Sequence, residues 1–158
     1  MPPSTPADPK KKYFTVAEAN RTLPLVKAIV GDIVKQYQTV SELRQRLSAV
    51  LTEHRRPSSD PYSEELAQTQ LELESGEAQL QRYVDELRAL GVELKSHDGL
   101  CDFYSLRDGR EIYLCWRLGE PEVAHWHELD AGVAGRQPLG DSPTPAGAGS
   151  STPGTRFP

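Results

Sequence analysis

The chain has 158 residues, of which 37% are hydrophobic, and 18 Lys and Arg against 23 Asp and Glu give a formal net charge of -5. This length suits one domain with a modest core, and the scattered basic residues disfavour a nucleic-acid surface. No apolar run reaches the roughly 20 residues that a membrane-spanning helix needs. We therefore expect a cytoplasmic protein with no nucleic-acid and no membrane partner.

Both ends of the sequence have the composition of disordered chain. Residues 1–12 are rich in Pro and Lys, and residues 140–158 mix Pro, Ser, Gly and Thr with almost nothing to bury. We predict a disordered N-terminal tail over residues 1–12, a single α+β domain over residues 13–139 and a disordered C-terminal tail over residues 140–158.

The first predicted helix begins with a capping box. Thr15 and Glu18 have the spacing at which a hydroxyl and a carboxylate each satisfy a backbone N–H at a helix start. Pro24 is unfavourable in a helix interior, so we expect a kink or a short break near Thr22, after which the helix restarts. Apolar residues then repeat every seven positions as far as about Glu53, in two rows: Val26, Ile33, Val40 and Leu47; Val30, Tyr37 and Leu51.

A second helix is predicted from Ser63 to Leu90. The segment 53–63 contains two prolines and three serines, which end the first helix. Gly91 stands where a helix-ending residue with positive φ belongs. The apolar row again has a period of seven and comprises Leu66, Leu73, Leu80 and Leu87. Two such helices joined by a short loop indicate an antiparallel hairpin.

A β-hairpin follows, with its turn at Asp108 and Gly109, a dipeptide typical of tight hairpin turns. Counting outward from the turn pairs Ser105 with Ile112, Phe103 with Leu114 and Cys101 with Trp116 on the core face. On the opposite face Asp102 pairs with Cys115, and Tyr104 pairs with Tyr113. The two cysteines then lie on opposite sides of the sheet, which argues against a disulfide.

A third strand is predicted over residues 123–129. Alternation places Val123, His125 and His127 on one side of it, and Ala124, Trp126 and Glu128 on the other. The predicted fold is therefore a long antiparallel helical hairpin followed by a small antiparallel β-hairpin or three-stranded sheet.

The strongest indication of chemistry is a concentration of His, Glu and Asp between residues 116 and 130. Imidazole and carboxylate groups bind borderline divalent metals, and the His-X-His spacing on a strand points both rings to one side. We predict a metal site formed by Glu120 and His127, with Asp102 or His125 completing it, for Zn, Ni, Mn or Fe.

Structural interpretations of the same residues stay open beside the metal site. Trp116 and Trp126 can be core aromatics, His127 a hydrogen-bonded neighbour, and Glu120 an anchor of the turn that follows Gly119. Cys115 with His127 as base is an alternative nucleophile, the glycines and arginine of residues 132–136 are an alternative anion site, and Glu18 is a remote candidate ligand.

Several motifs resemble one bacterial family. They are FTVAEAN over residues 14–20 with Leu23 and Pro24, LGVELK over residues 90–95, Gly99-Leu100 with Asp102-Phe103, CWRLGE over residues 115–120 with Trp126-His127, and finally Gly132, Gly135-Arg136 and Pro138. This pattern resembles the proteins grouped as domain of unknown function 2203. The resemblance covers nearly the whole predicted domain and implies a bacterial cytoplasmic protein, while implying no activity, substrate or cofactor.

Two functional hypotheses follow. The first is a small metal-binding protein, with hydrolytic or redox chemistry as an extension that leaves its status as an enzyme open. The second is a non-enzymatic interaction module that forms a homo-oligomer through the helix rows containing Val26 and Leu73.

Overall fold

A computed structural model describes residues 12–53 and 60–141. It contains two long helices, α1 (Val16–Glu53) and α2 (Asp60–Ala89), and five strands: β1 (Val92–Ser96), β2 (Leu100–Arg107), β3 (Arg110–Arg117), β4 (His125–Glu128) and β5 (Gln137–Pro138). The predicted α+β class with a helical hairpin is confirmed. Residues 1–11 and 142–158, where most of the two tails was predicted, lie outside the described residues, as do residues 54–59 of the predicted loop.

The start of α1 is capped as predicted, but the helix has no break. Glu18 N–H donates to the Thr15 hydroxyl at 3.0 Å, and Thr15 N–H donates to the Glu18 carboxylate at 2.9 Å. The predicted short break near Thr22 is absent, because α1 continues through Pro24, while the alternative of a kink stays a prediction. Residues on both sides of the proline, such as Leu23 and Val26, are buried in the core. Their packing holds one helix against the roughly 3 kcal/mol that an interior proline costs.

The second helix packs along α1 and ends as predicted. Gly91 has φ of 92°, a conformation that favours glycine at a helix C-terminus, and its N–H donates to the Arg88 carbonyl. The helix begins at Asp60, three residues before the predicted Ser63. In its middle, Gly76 lets the two helices approach closely, since the Gln36 amide donates to the Gly76 carbonyl at 3.0 Å.

The β-hairpin has the predicted register. Asp102 pairs with Cys115, Phe103 with Leu114 and Tyr104 with Tyr113. Asp108 and Gly109 have φ of 53° and 76°, as a two-residue turn with two positive φ angles requires. Both cysteines are free and buried.

The sheet is larger than predicted, with five antiparallel strands in the order β1-β2-β3-β4-β5. The strand β1 pairs with β2. Most of its residues are half-buried and do not alternate between buried and exposed, which explains why the sequence pattern did not reveal the strand. The two-residue β5 is too short to have a pattern of its own.

One face of the sheet forms the core against the helices. Its fully buried side chains include Cys101, Phe103, Leu114 and Trp116, and they cluster with Ala19, Leu23, Val26, Val30 and Ile33 of α1 and Leu87 of α2. Trp126 joins the same cluster. The interpretation of both tryptophans as core aromatics is confirmed, and the opposite face of the sheet is left for polar residues.

The strand β4 is shorter than the predicted 123–129, and Val123 does not share the face of the two histidines. Val123 lies before the strand and is 1% exposed in the core. The Asn20 side chain holds this segment by two hydrogen bonds, accepting from Val123 N–H at 2.7 Å and donating to the Val123 carbonyl at 3.3 Å. Helix α1 thereby fixes where β4 begins.

The surface proposed for self-association is largely occupied within the chain. Val26 is fully buried in the core, so its row is unavailable to a partner, whereas Leu51 and Leu71 are 49% and 62% exposed. The homo-oligomer stays a prediction without the Val26 row. No helix among residues 12–53 and 60–141 is long and apolar enough to cross a membrane.

Candidate functional site

Three adjacent strands bring together Asp102, Cys115 and His127 on the face of the sheet opposite the helices. Asp102 is directly opposite Cys115 in the β2–β3 register, and the β3–β4 register sets His127 opposite Tyr113. A carboxylate oxygen, the Cys115 Sγ and a ring nitrogen of His127 all lie within 4.8 Å of one another, and all three residues are buried. We call these residues the Asp-Cys-His cluster.

The hydrogen bonds of His127 determine how many protons the cluster holds. Nδ1 lies 2.7 Å from the Glu128 carbonyl oxygen, and Nε2 lies 3.0 Å from Asp102 Oδ1. The carbonyl can only accept, so Nδ1 carries a hydrogen. The Nε2···Oδ1 contact then needs one further proton, which is on Nε2 beside a carboxylate or on Asp102 beside a neutral ring. Asp102 and His127 therefore share one proton.

Burial controls the acidity of the other cluster atoms. It raises the pKa of Asp102 above its usual value, although the hydrogen bond and charge of His127 act in the opposite direction. Burial, reinforced by the Asp102 charge, raises the pKa of the Cys115 thiol from 9.0 to about 11. Near neutral pH the metal-free Cys115 is a thiol, which disfavours its role as a nucleophile.

The cluster opens onto a cavity of about 240 Å³. Asp102, Tyr113 and His127 line it with polar groups, and Lys95 contributes a cation. The remaining lining residues are apolar or small: Leu100, Leu129, Gly132 and Val133. A ligand at the cluster would therefore enter a small cavity and meet both polar and apolar side chains.

Lys95 is held beside this cavity by two neighbours. Its Nζ donates to Glu93 Oε1 at 3.1 Å and lies 5.3 Å from the centre of the Tyr113 ring. Burial acts to lower the pKa of Lys95, but the hydrogen bond and charge of Glu93 outweigh it and the pKa is raised. Lys95 is therefore a cation at neutral pH.

Glu120 and His125 form a second group, and they are not among the residues of the Asp-Cys-His cluster. Glu120 Oε1 accepts from Arg136 at 2.9 Å and from the Arg117 N–H at 2.8 Å, while its other oxygen lies 4.0 Å from His125 Nδ1. Burial raises the pKa of Glu120, and the bonds from Arg136 and Arg117 outweigh this effect, so its pKa is lowered. Glu120 is an ionised anchor between a turn and the C-terminal segment.

The predicted metal ligands are thus divided by the structure. Asp102 and His127 are in direct contact, whereas Glu120 is bound to Arg136 and lies 4.0 Å from His125. Sequence reasoning missed Cys115 as a ligand candidate, considering it only as a nucleophile. The predicted pairing of Asp102 with Cys115 already placed its thiol beside a carboxylate, and that pairing was the signal that could have identified it.

Glu18 and the segment 132–136, the remaining candidates from the sequence, have structural roles. Glu18 is engaged in the capping box at the start of α1. Within residues 132–136, Val133–Gly135 form a short 3-10 turn. The Arg136 guanidinium is bound to Glu120 and also lies 3.5 Å from the Cys115 carbonyl. Its bonds therefore position the C-terminal segment over the sheet.

The donor set suits a borderline divalent ion. Zinc binds Cys sulfur, His nitrogen and Asp oxygen, and three protein ligands leave a fourth tetrahedral position free for water or a small molecule. The hydrogen bond from His127 Nδ1 to the Glu128 carbonyl is the arrangement that commonly orients a metal-binding imidazole. Asp102 and His127, two of the three residues that would hold a metal, line the cavity.

The buried thiols predict a loss of stability in alkali. Burial raises the pKa of Cys101 from 9.0 to about 12 and that of Cys115 to about 11. The folded chain keeps protons that the unfolded chain loses, so the stability contribution is complete below about pH 9 and falls as pH rises. We expect each thiol to add up to about 1.4 kcal/mol per pH unit to this fall. Urea unfolding of metal-free protein between pH 8 and 11 measures it.

Cys101→Ala is the matched variant for this measurement, since it removes one thiol and leaves the Asp-Cys-His cluster intact. Its free energy of unfolding should fall less steeply with pH than that of the wild type. Equal slopes for the two proteins would show that the Cys101 thiol is not the group responsible.

The fold and the cluster define a class of protein: a helical hairpin backing a five-stranded antiparallel sheet whose free face carries a buried Asp, Cys and His. The family model of uncharacterized conserved proteins named DUF2203 matches residues 12–139. The chain belongs to this family, which confirms the resemblance seen in its sequence motifs. No curated protein and no solved structure matches the chain.

Proposed function

We propose that this protein binds a divalent metal, with zinc as the best-suited ion, through Asp102, Cys115 and His127. The observation that carries the proposal is the convergence of three different donor atoms within 4.8 Å, on three neighbouring strands. Oxygen, sulfur and nitrogen donors together match the preferences of zinc better than those of magnesium or calcium.

The energetics of the cluster support a ligand role. Burying a carboxylate and a thiol costs free energy that an apolar pair at the same positions would not. A divalent ion would neutralise the carboxylate and stabilise a thiolate. Binding would displace the proton shared by Asp102 and His127 and the proton of the Cys115 thiol, so two protons leave for each ion bound.

The proposed role is metal binding with one coordination position open to the cavity. A metal ion in such a position lowers the pKa of a bound water, which is the basis of hydrolytic metal sites. His127 would be oriented by Glu128, Asp102 would supply the anionic oxygen, and Cys115 would supply the sulfur. Free buried cysteines are typical of reducing compartments, which supports a cytoplasmic setting, and the family resemblance supports a bacterial one.

Metal content of purified protein tests the proposal. The protein is stripped with a chelator, dialysed against zinc and measured by elemental analysis, with calorimetry for affinity. We expect one zinc per chain in the wild type, and release of two protons seen as a dependence of the binding heat on the buffer. Affinity should weaken as pH falls, because protons compete for the same donor atoms.

Zinc binding by single variants distinguishes the Asp-Cys-His cluster from the site predicted around Glu120. Asp102→Asn keeps the shape of the side chain, and Cys115→Ser keeps a small polar group, so both should fold; each should weaken zinc binding by at least tenfold. Glu120→Ala is the control from the second group and should retain stoichiometric zinc. Wild-type protein without zinc, or unchanged affinity in both cluster variants, would refute the proposal.

A further inference from the structure

We infer that the cavity beside the Asp-Cys-His cluster binds a small organic monocarboxylate, with its carboxylate between the metal and Lys95 and its hydrocarbon part against Leu129 and Val133. The inference rests on the proposed function, because the metal supplies one of the two positive groups. It adds the chemical class of the ligand that shares the site with the metal.

The size of the cavity limits the ligand to a small molecule. Its volume of about 240 Å³ lies below the roughly 300–1,000 Å³ of sites for drug-sized ligands. The C-terminal segment provides part of the wall through Leu129, Gly132 and Val133. A nucleotide or a peptide would extend beyond this volume, whereas a short-chain acid fits within it.

The charge distribution favours an anion with a single negative charge. Lys95 is the one lysine or arginine among the described residues that line the cavity. Its partner Glu93 also accepts from the Tyr104 hydroxyl at 2.7 Å. Glu93 is bound to Lys95 at 3.1 Å and already offsets part of its charge. The metal and a partly neutralised Lys95 suit one negative charge better than the two of phosphate, so a monocarboxylate fits better.

The apolar walls specify the rest of the ligand. Leu129 and Val133 line the cavity and are 36% and 39% exposed, so both present apolar surface to a ligand. A hydrocarbon chain lying against them would remove this surface from water, at about 25 cal/mol for each Å² buried. Affinity should therefore increase with chain length until the cavity is filled.

Titration of cobalt-substituted protein with simple acids tests the inference. Cobalt(II) replaces zinc as a visible probe, and its absorption changes when a ligand enters the open coordination position. Acetate, butanoate and hexanoate are added to the full-length protein, with butanamide as the uncharged analogue of butanoate. We expect saturable spectral changes with the acids, tighter binding of butanoate than of acetate, and no saturation with the amide.

Two cavity variants, each with a matched surface control, locate the ligand. Lys95→Met should weaken butanoate binding by at least tenfold with unchanged cobalt stoichiometry, whereas Lys35→Met, on the exposed side of α1, should bind as the wild type does. Leu129→Ser should reduce the preference for butanoate over acetate, and Leu106→Ser, an exposed leucine that does not line the cavity, should preserve it.

The outcomes distinguish this inference from the proposed function. Failure to bind cobalt or zinc overturns both. Stoichiometric cobalt with no spectral response to the acids, or with equal responses in the wild type and Lys95→Met, overturns the carboxylate site alone. A response to phosphate that exceeds the response to butanoate also overturns it, because the charge argument then fails.

Discussion

Replacing His127 with leucine is expected to lower the free energy of unfolding by about 3–5 kcal/mol in metal-free protein near neutral pH, the usual cost of breaking a buried charged pair. Asp102 and His127 have side chains only 3% exposed and are 3.0 Å apart. Without the imidazole, Asp102 must be buried as an unpaired carboxylate or take up a proton. Uptake is easier in acid, so the penalty of His127→Leu should decrease as pH falls toward 5.

The double variant Asp102→Val/His127→Leu should have a higher free energy of unfolding than either single variant. Removing both partners leaves no unpaired charge of the pair in the interior, and apolar replacements of buried pairs are commonly neutral or stabilising. We expect a free energy of unfolding within about 1 kcal/mol of the wild type, or above it. Zinc binding should nevertheless be abolished in the double variant.

Denaturant unfolding of the wild type, both single variants and the double variant completes this thermodynamic cycle. If the double variant recovers stability but not metal binding, Asp102 and His127 are present to bind metal and not to stabilise the fold. If the losses are additive and the double variant is the least stable protein, the pair instead stabilises the sheet.

Gly99→Ala is the second substitution for which we expect a large effect, a loss of roughly 2–4 kcal/mol. Gly99 has φ of 101°, and a Cβ there would lie 2.6 Å from the Leu118 Cβ and 3.3 Å from Val30. The Gly99 carbonyl also accepts from Leu118 N–H at 3.0 Å, so the backbone cannot move away without losing a bond.

Gly119→Ala is the matched control, because Gly119 has nearly the same φ of 107° but nothing within 4 Å of the added Cβ. It should cost only the backbone strain, about 1–2 kcal/mol. Thermal and denaturant unfolding of both variants separates strain from steric overlap. Equal losses in the two proteins would show that the contact with Leu118 and Val30 relaxes without cost.

Local patterns in the sequence predicted much of the fold. The turn at Asp108 and Gly109 determined the register of β2 and β3, and therefore the pairing of Asp102 with Cys115. The capping box and Gly91 marked helix ends, since each motif depends only on nearby residues. Pro24 misled the prediction because its local cost is exceeded by core packing on both sides of it.

The candidate site could be predicted only in part, because its geometry depends on contacts distant in sequence. His127 reaches Asp102 only when β4 pairs with β3 in one particular register, and no turn motif specifies that register. Glu120 is bound by Arg136, which belongs to a segment with no regular sequence pattern. The residue types were therefore identified, while their division into two groups required the structure.

Consecutive side chains of the strand β2 point to opposite faces of the sheet. Cys101 and Phe103 lie in the core, and Asp102 between them lies in the cluster. Inserting or deleting one residue inside β2 would reverse every side chain beyond that point, exchanging core and cluster at once. Extra residues between Asp108 and Gly109 would leave the alternation unchanged, since the turn is exposed and open. Evolution can therefore vary the length of this protein at the hairpin tip but is confined to substitutions within the strand.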